Sequence, residues 1–169
     1  MIEVVIDSIR VSLISQQRIV MLRDAESDHQ LPIWIGPCEA DAIGIELQDT
    51  ELARPLTHDL LKNVVEQLGG KISHILINEL RDSVFHARLY IKVDGETQNI
   101  DCRPSDAIAL AVRSKVSIFV AEQVMAEAGI MPEPDISEPE IEEEELEDGD
   151  PELDEGLDAF RDFLDNLND

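Results

Sequence analysis

The sequence is short of positive charge, of aromatic rings and of cysteine, and each shortage closes off a class of function. Thirteen of its 169 residues are Lys or Arg against 38 Asp and Glu, a net charge of −25. A chain this acidic is not built as a general binder of phosphate backbones. Aromatic residues make up 4%, so a base-stacking platform of the single-strand-binding kind is not expected. Two cysteines, Cys38 and Cys102, are too few for a disulfide framework and have no metal-ligand spacing with the histidines. They read as small thiols in a reducing compartment. No apolar run approaches the roughly 18 residues of a membrane span, and no basic stretch with an apolar run behind it opens the chain. A cytoplasmic location is the expectation.

The charge that is present is unevenly spread. Residues 131–169 hold 18 acidic residues and one basic one, Arg161, for −17, whereas residues 1–130 hold 20 acidic and 12 basic, for −8. Three prolines, Pro132, Pro134 and Pro139, followed by an acidic block from Glu140 to Asp150, mark residues 131–155 as an expected disordered linker. In residues 156–169, Leu157, Phe160, Phe163, Leu164 and Leu167 share one helical face, so a short amphipathic helix is expected there. Tethered in this way, it could dock on a protein partner.

The first 130 residues read as one α+β domain with a mixed, mainly antiparallel sheet and packed helices. Alternation predicts a long strand over residues 2–14 whose phase slips at Asp7 and Ser8, the mark of a bulge. Strands follow at 18–23 and 31–35, the latter favouring a sheet edge because of Pro32. Helical spacing covers 39–48. A second helix has Thr57 as its expected N-cap, a stripe of Leu60, Leu61, Val64, Val65 and Leu68, and an end at Gly69. Strands at 71–80 and 84–93, a hairpin turn at Asp94-Gly95 and a return strand lead to residues 100–113. A short strand at 117–120 and a last helix to Ala128 complete the domain. An internal repeat at an offset of 65 pairs Asp41-Ala42-Ile43 with Asp106-Ala107-Ile108 and Ile35 with Ile100.

Residues 100–113, IDCRPSDAIALAVR, organise the chain. A strand ends, turns through Arg103-Pro104 and opens a helix. Pro suits the first turn, and Ser105 or Asp106 can accept from its free N–H groups. Read alone, this is a capped helix with a local Arg–Asp pair. Together with LPIWIGPCEADAI at 31–43, RPLTHDLL at 54–61 and IFVAE at 118–122, it resembles the bifunctional nuclease domain family. The resemblance spans residues 1–130. It implies a compact, self-associating domain, and a nuclease acting on DNA and RNA, with no catalytic residues to carry over.

The residues themselves suggest where chemistry would sit. Asp101, Asp106, His58 and Asp59 are the candidate catalytic groups: a histidine titrates in the neutral range, and a neighbouring carboxylate can orient it. Asp101, Asp106, Glu39 and Asp41 are candidate ligands for Mg or Mn, which would polarise phosphate, although acidic residues belong at helix starts on electrostatic grounds alone. Arg54, Arg103 and Ser105 are candidate phosphate binders at helix starts; the arginines could equally form ion pairs with Asp41, Asp59 or Asp106. His86, Arg88, Tyr90 and Lys92 share one strand face that could meet nucleic acid or simply be its wet side. Trp34 reads as core or subunit interface, and His74 as a core histidine. Two functions therefore stand beside each other. One is a metal-assisted nuclease with weak or metal-mediated nucleic-acid contact, as a homo-oligomer. The other is a non-catalytic regulatory or scaffold module that binds a partner through its tail helix.

Overall fold

The computed structural model describes residues 1–12 and 17–132. The expected acidic linker and terminal helix, and the end of the first expected strand, lie outside the described residues. Eleven elements follow in order: β1 Ile2–Val11, β2 Arg18–Asp24, β3 Gln30–Ile35, α1 Pro37–Leu47, α2 Thr57–Gln67, β4 Gly70–Arg81, β5 Val84–Val93, β6 Glu96–Cys102, α3 Pro104–Ser114, β7 Ile118–Val120 and α4 Glu122–Ala128.

The seven strands form one sheet in the order β3-β2-β1-β7-β4-β5-β6. It consists of two antiparallel meanders, β1–β3 and β4–β6. Short β7 joins them, antiparallel to β1 and parallel to β4. That one parallel pairing makes the sheet mixed, as expected. The phase slip in β1 is a real irregularity, because pairing with β2 shifts between Ile6 and Ser8. β3 is an edge strand, which tolerates Pro32.

Burial follows the alternation. Val20, Leu22, Leu31 and Ile33 from one meander and Ile75, Ile77, Ala87 and Leu89 from the other face one core, with β7 contributing Ile118 and Val120. Helix α3 fills its centre. Eight of its eleven residues are buried, and it packs against α1, α2, β4 and β5. Three of the eight are alanines, which allow close approach on several sides. The two-part pattern of the sequence is visible as topology: each meander runs into a helix that opens on proline, α1 at Pro37 and α3 at Pro104.

Three readings need correction. Trp34 is 57% exposed on the edge strand and is not core. The apolar stripe of α2 does not pack as its periodicity implies: Val65 touches the core, while Leu60, Leu61, Val64 and Leu68 are exposed. Thr57 is the first helical residue and Leu56 precedes it as N-cap, so the cap is made differently. His74 is half-buried and stacks on Tyr90, ring centres 4.2 Å apart, with Phe119 edge-on at 5.6 Å. Burial and the charge of Lys92 hold its pKa below the ordinary value, which keeps the ring neutral. Beside them, Arg88 is bonded to Asn99 at 2.6 Å, within the sheet's own surface.

Candidate active site

The starts of α1, α2 and α3 converge on one cleft of about 460 Å³. Its wall comprises Cys38, Glu39 and Asp41 from α1, Thr57 and His58 from α2, and Arg103 and Asp106 from the start of α3. Each helix carries an acidic residue at its third position: Glu39, Asp59 and Asp106. A carboxylate in the first turn is favoured by the helix dipole. What each carboxylate does there differs.

Asp59 serves the scaffold. One oxygen accepts the Leu56 amide at 2.7 Å and so caps α2. The other accepts Arg113 Nε at 2.6 Å. Arg113 is 2% exposed and also donates to the carbonyls of Ala109 and Ala42, both at 3.0 Å. One buried guanidinium thus fastens α3 to α1 and α2 directly behind the cleft. Burial raises the Asp59 pKa, but the Leu56 and Arg113 bonds outweigh it and the net shift is downward. No feature of the sequence singled out Arg113 among the polar residues of a helix end.

Glu39 and Asp106 instead meet at Arg103. Its Nε donates to Asp106 Oδ2 at 2.8 Å and its Nη2 to Asp106 Oδ1 at 3.0 Å. The same Nη2 lies 3.0 Å from Glu39 Oε1. Neither Ser105 nor Asp106 caps α3 with its side chain. Asp106 is also 3.3 Å from His58 Nε2. Burial pushes the Asp106 carboxyl up, and the hydrogen bonds from Arg103 and His58 bring it below its usual range, so it is ionised at neutral pH. Asp106 and Glu39 hold the Arg103 guanidinium firmly charged. Its Nη1 is unpaired among the described residues, and the side chain is 66% exposed. Nδ1 of His58 likewise has no partner among them.

The other candidates lie elsewhere. Asp101 sits opposite Arg88 in the β5–β6 pairing, away from the cleft lining. Arg54 is exposed, beside a different hollow that includes Asp59 and Arg113. Asp41 lines the cleft without joining the Arg103 cluster. Ser105 is buried at 7% exposure and lines a second hollow, for which Arg103 forms the shared wall. Among the described residues no three His, Cys, Asp or Glu side chains stand close enough together to hold a metal ion.

Fold and cleft define a class: an α+β domain with an arginine–carboxylate–histidine cluster at the converging starts of three helices. The chain belongs to the bifunctional nuclease domain family, whose pattern matches residues 20–133. An uncharacterized protein of Mycobacterium tuberculosis is 38% identical over 166 residues, 98% of this chain and 94% of that one. Bifunctional nuclease 1 of Oryza sativa subsp. japonica is 30% identical over 66% of this chain and 35% of its own length. Bifunctional nuclease 2 of Arabidopsis thaliana is 27% identical over 59% of this chain and 31% of its own. The match thus spans about a third of each plant protein.

Proposed function

We propose that the chain hydrolyses phosphodiester bonds of DNA and RNA at the His58–Asp106–Arg103–Glu39 cleft. The observation that carries this is the sharing of one exposed guanidinium between two first-turn carboxylates, beside a histidine that one of them orients. Free Nη1 of Arg103 binds the non-bridging phosphate oxygens and takes up the charge that grows on them. Asp106 holds His58 with its proton on Nε2. Nδ1 then accepts a proton from water as the water oxygen bonds to phosphorus, and the bond to the leaving sugar oxygen breaks. The leaving oxygen takes its proton from solvent.

The donor set does not fit a resident Mg or Mn ion. Glu39 and Asp106 are both ion-paired to Arg103, which stands between them as their shared cation, and Asp101 does not line the cleft. The chemistry above is therefore carried by the chain's own groups. The test is cleavage of single-stranded DNA and RNA by highly purified protein in Mg, in Mn and in chelator. Activity is expected in all three, with His58→Ala and Arg103→Ala each at least about a hundredfold slower. Wild-type rates in both variants, or cleavage abolished by chelator, would sink the scheme.

The second reading, a non-catalytic scaffold or regulatory module, draws on the exposed α2 face of Leu60, Val64 and Leu68. Contiguous exposed apolar side chains mark an association surface. The same face serves the expected homo-oligomer. Light scattering at micromolar concentration, on wild type and on Leu60→Glu/Leu68→Glu, separates a self-associating chain from a monomer with a foreign partner.

A further inference from the structure

We propose that the hollow on the far side of Arg103 is a nucleobase subsite, so that the substrate is single-stranded at the point of binding. This rests on the phosphodiester reading above and adds the substrate's form to it. The hollow, about 280 Å³, lies between the end of β3, the β4–β5 turn and the start of α3. Its walls include Trp34, Ile35, Val84 and Phe85, with Arg103 and Ser105 along one side.

Three features point to a base. Trp34 and Val84 are 57% and 56% exposed, an apolar surface large enough to need a reason, and both face the same concavity. The β4–β5 turn presents Val84 there because Asp82 and Ser83 both adopt left-handed backbone, φ 50° and 61°, the signature of a tight two-residue hairpin. Next, Ser105 is 7% exposed, and its hydroxyl has no hydrogen-bond partner among the described residues. Among the described residues the fully buried side-chain atoms without a partner are Asn78 Oδ1 and Ser114 Oγ, so the Ser105 hydroxyl is reachable from the hollow it lines and free to bond a ligand. A base edge, with donors and acceptors beside a flat ring, can bond it. Finally, Arg103 borders both this hollow and the catalytic cleft. A phosphate on its free Nη1 leaves the adjoining nucleoside next to Trp34. Stacking on an indole face suits any base and requires it to be out of a duplex.

A second copy of this chain could cover the same surface. It would bring another acidic body, whereas a nucleic acid brings the anion that Arg103 lacks on Nη1.

Trp34 is the single tryptophan of the chain, so its fluorescence reports on this hollow alone. The probe is a phosphorothioate-linked single-stranded oligothymidine, which resists cleavage, with an abasic oligomer of equal length as control. Wild-type emission is expected to be quenched by the oligothymidine with the Kd found by anisotropy of a labelled strand. The abasic strand should bind about tenfold more weakly and leave emission unchanged. Trp34→Leu, which keeps the apolar bulk, should also weaken oligothymidine binding about tenfold. Equal binding of the two strands, undiminished binding by Trp34→Leu, or quenching that follows protein concentration without oligomer would each overturn the subsite. Cleavage with Trp34 unquenched defeats the subsite and spares the phosphodiester reading. Quenching without cleavage in any buffer supports the subsite and defeats that reading.

Discussion

Arg113→Met tests whether the buried guanidinium holds the three helices in place. Methionine keeps most of the side chain's apolar bulk and removes every donor. Lost are the bond to Asp59 at 2.6 Å and those to the Ala42 and Ala109 carbonyls at 3.0 Å. Removing one member of a fully buried pair costs roughly 3–5 kcal/mol. Here Asp59 is 30% exposed and keeps the Leu56 amide, so its stranded charge is partly solvated. Both carbonyls lie inside helices and keep their backbone bonds. The expected loss is therefore about 2–3 kcal/mol. Asp59→Asn removes the charge from the other side, and should cost about 2 kcal/mol by leaving the guanidinium buried without its anion. Combined, the two changes strand nothing. The double variant should fall short of the summed losses by about 1.5 kcal/mol or more. Urea unfolding of the four proteins of the cycle measures this. Additivity within about 0.5 kcal/mol, or a loss under about 1 kcal/mol for Arg113→Met, would mean that the pair does not fasten the helices.

Three further outcomes are expected. Asp59 and Asp106 are both held below the usual 3.8, so their pairs supply stability in full above that pH and lose it as pH falls through the lowered folded values; thermal melts that weaken between neutrality and pH 5 would contradict this assignment. Cys102 is half-buried, and burial with the Asp101 and Asp106 charges pushes its thiol up to about 11, whereas Cys38 is exposed at the cleft; iodoacetamide at pH 8 should label Cys38 and spare Cys102 by peptide mass mapping, and the labelled protein should bind oligonucleotide more weakly. A methyl group at Gly36 would collide with Glu39 Oε2, the end of a flexible side chain that can move; Gly36→Ala should leave stability within about 0.5 kcal/mol while lowering cleavage severalfold by drawing Glu39 off Arg103, and unchanged activity would show that Glu39 is not needed there.

The parts of the fold that were legible are those where one local pattern had one solution. Alternation gave the meanders, and the slip at Asp7 and Ser8 gave a bulge because a half-buried strand cannot change phase otherwise. The insertion of β7 between β1 and β4 was not legible, since a three-residue strand carries no pairing information of its own. The stripe on α2 misled for a related reason: period identifies a helix face but not what covers it, and here most of the face is exposed. At the site, Arg103 with Asp106 was readable because they are three residues apart on one turn. The approach of His58 to Asp106 spans 48 residues and that of Arg113 to Asp59 spans 54, and only the packing of α1 and α2 on α3 creates them. Sequence adjacency suggested Asp59 as the partner of His58; consecutive helical residues diverge by about a quarter-turn, so the histidine turns to the cleft and the aspartate to Arg113.

The ambiguity of an acidic residue at a helix start is resolved by where its oxygens go. Glu39, Asp59 and Asp106 occupy equivalent third positions, and the helix dipole favours all three alike. If capping were the whole explanation, each would accept its own N-cap amide. Asp59 does so, and its remaining oxygen is taken by a buried arginine. Asp106 turns its oxygens to Arg103 and His58, and Glu39 reaches the same guanidinium from another helix. The dipole does not require that convergence, and stability gains little from it, because Arg103 is two-thirds exposed and surface ion pairs contribute on the order of 0–1 kcal/mol. An arrangement that stabilises so little, and yet draws two carboxylates, a histidine and an arginine from three helices to one cleft, is better explained by what it can bind than by what it holds together. In a body of net charge −8, the free edge of that one guanidinium is also the cationic point at which a phosphate can enter the cleft, with Asp41, among the described residues, the one lining carboxylate outside the Arg103 cluster.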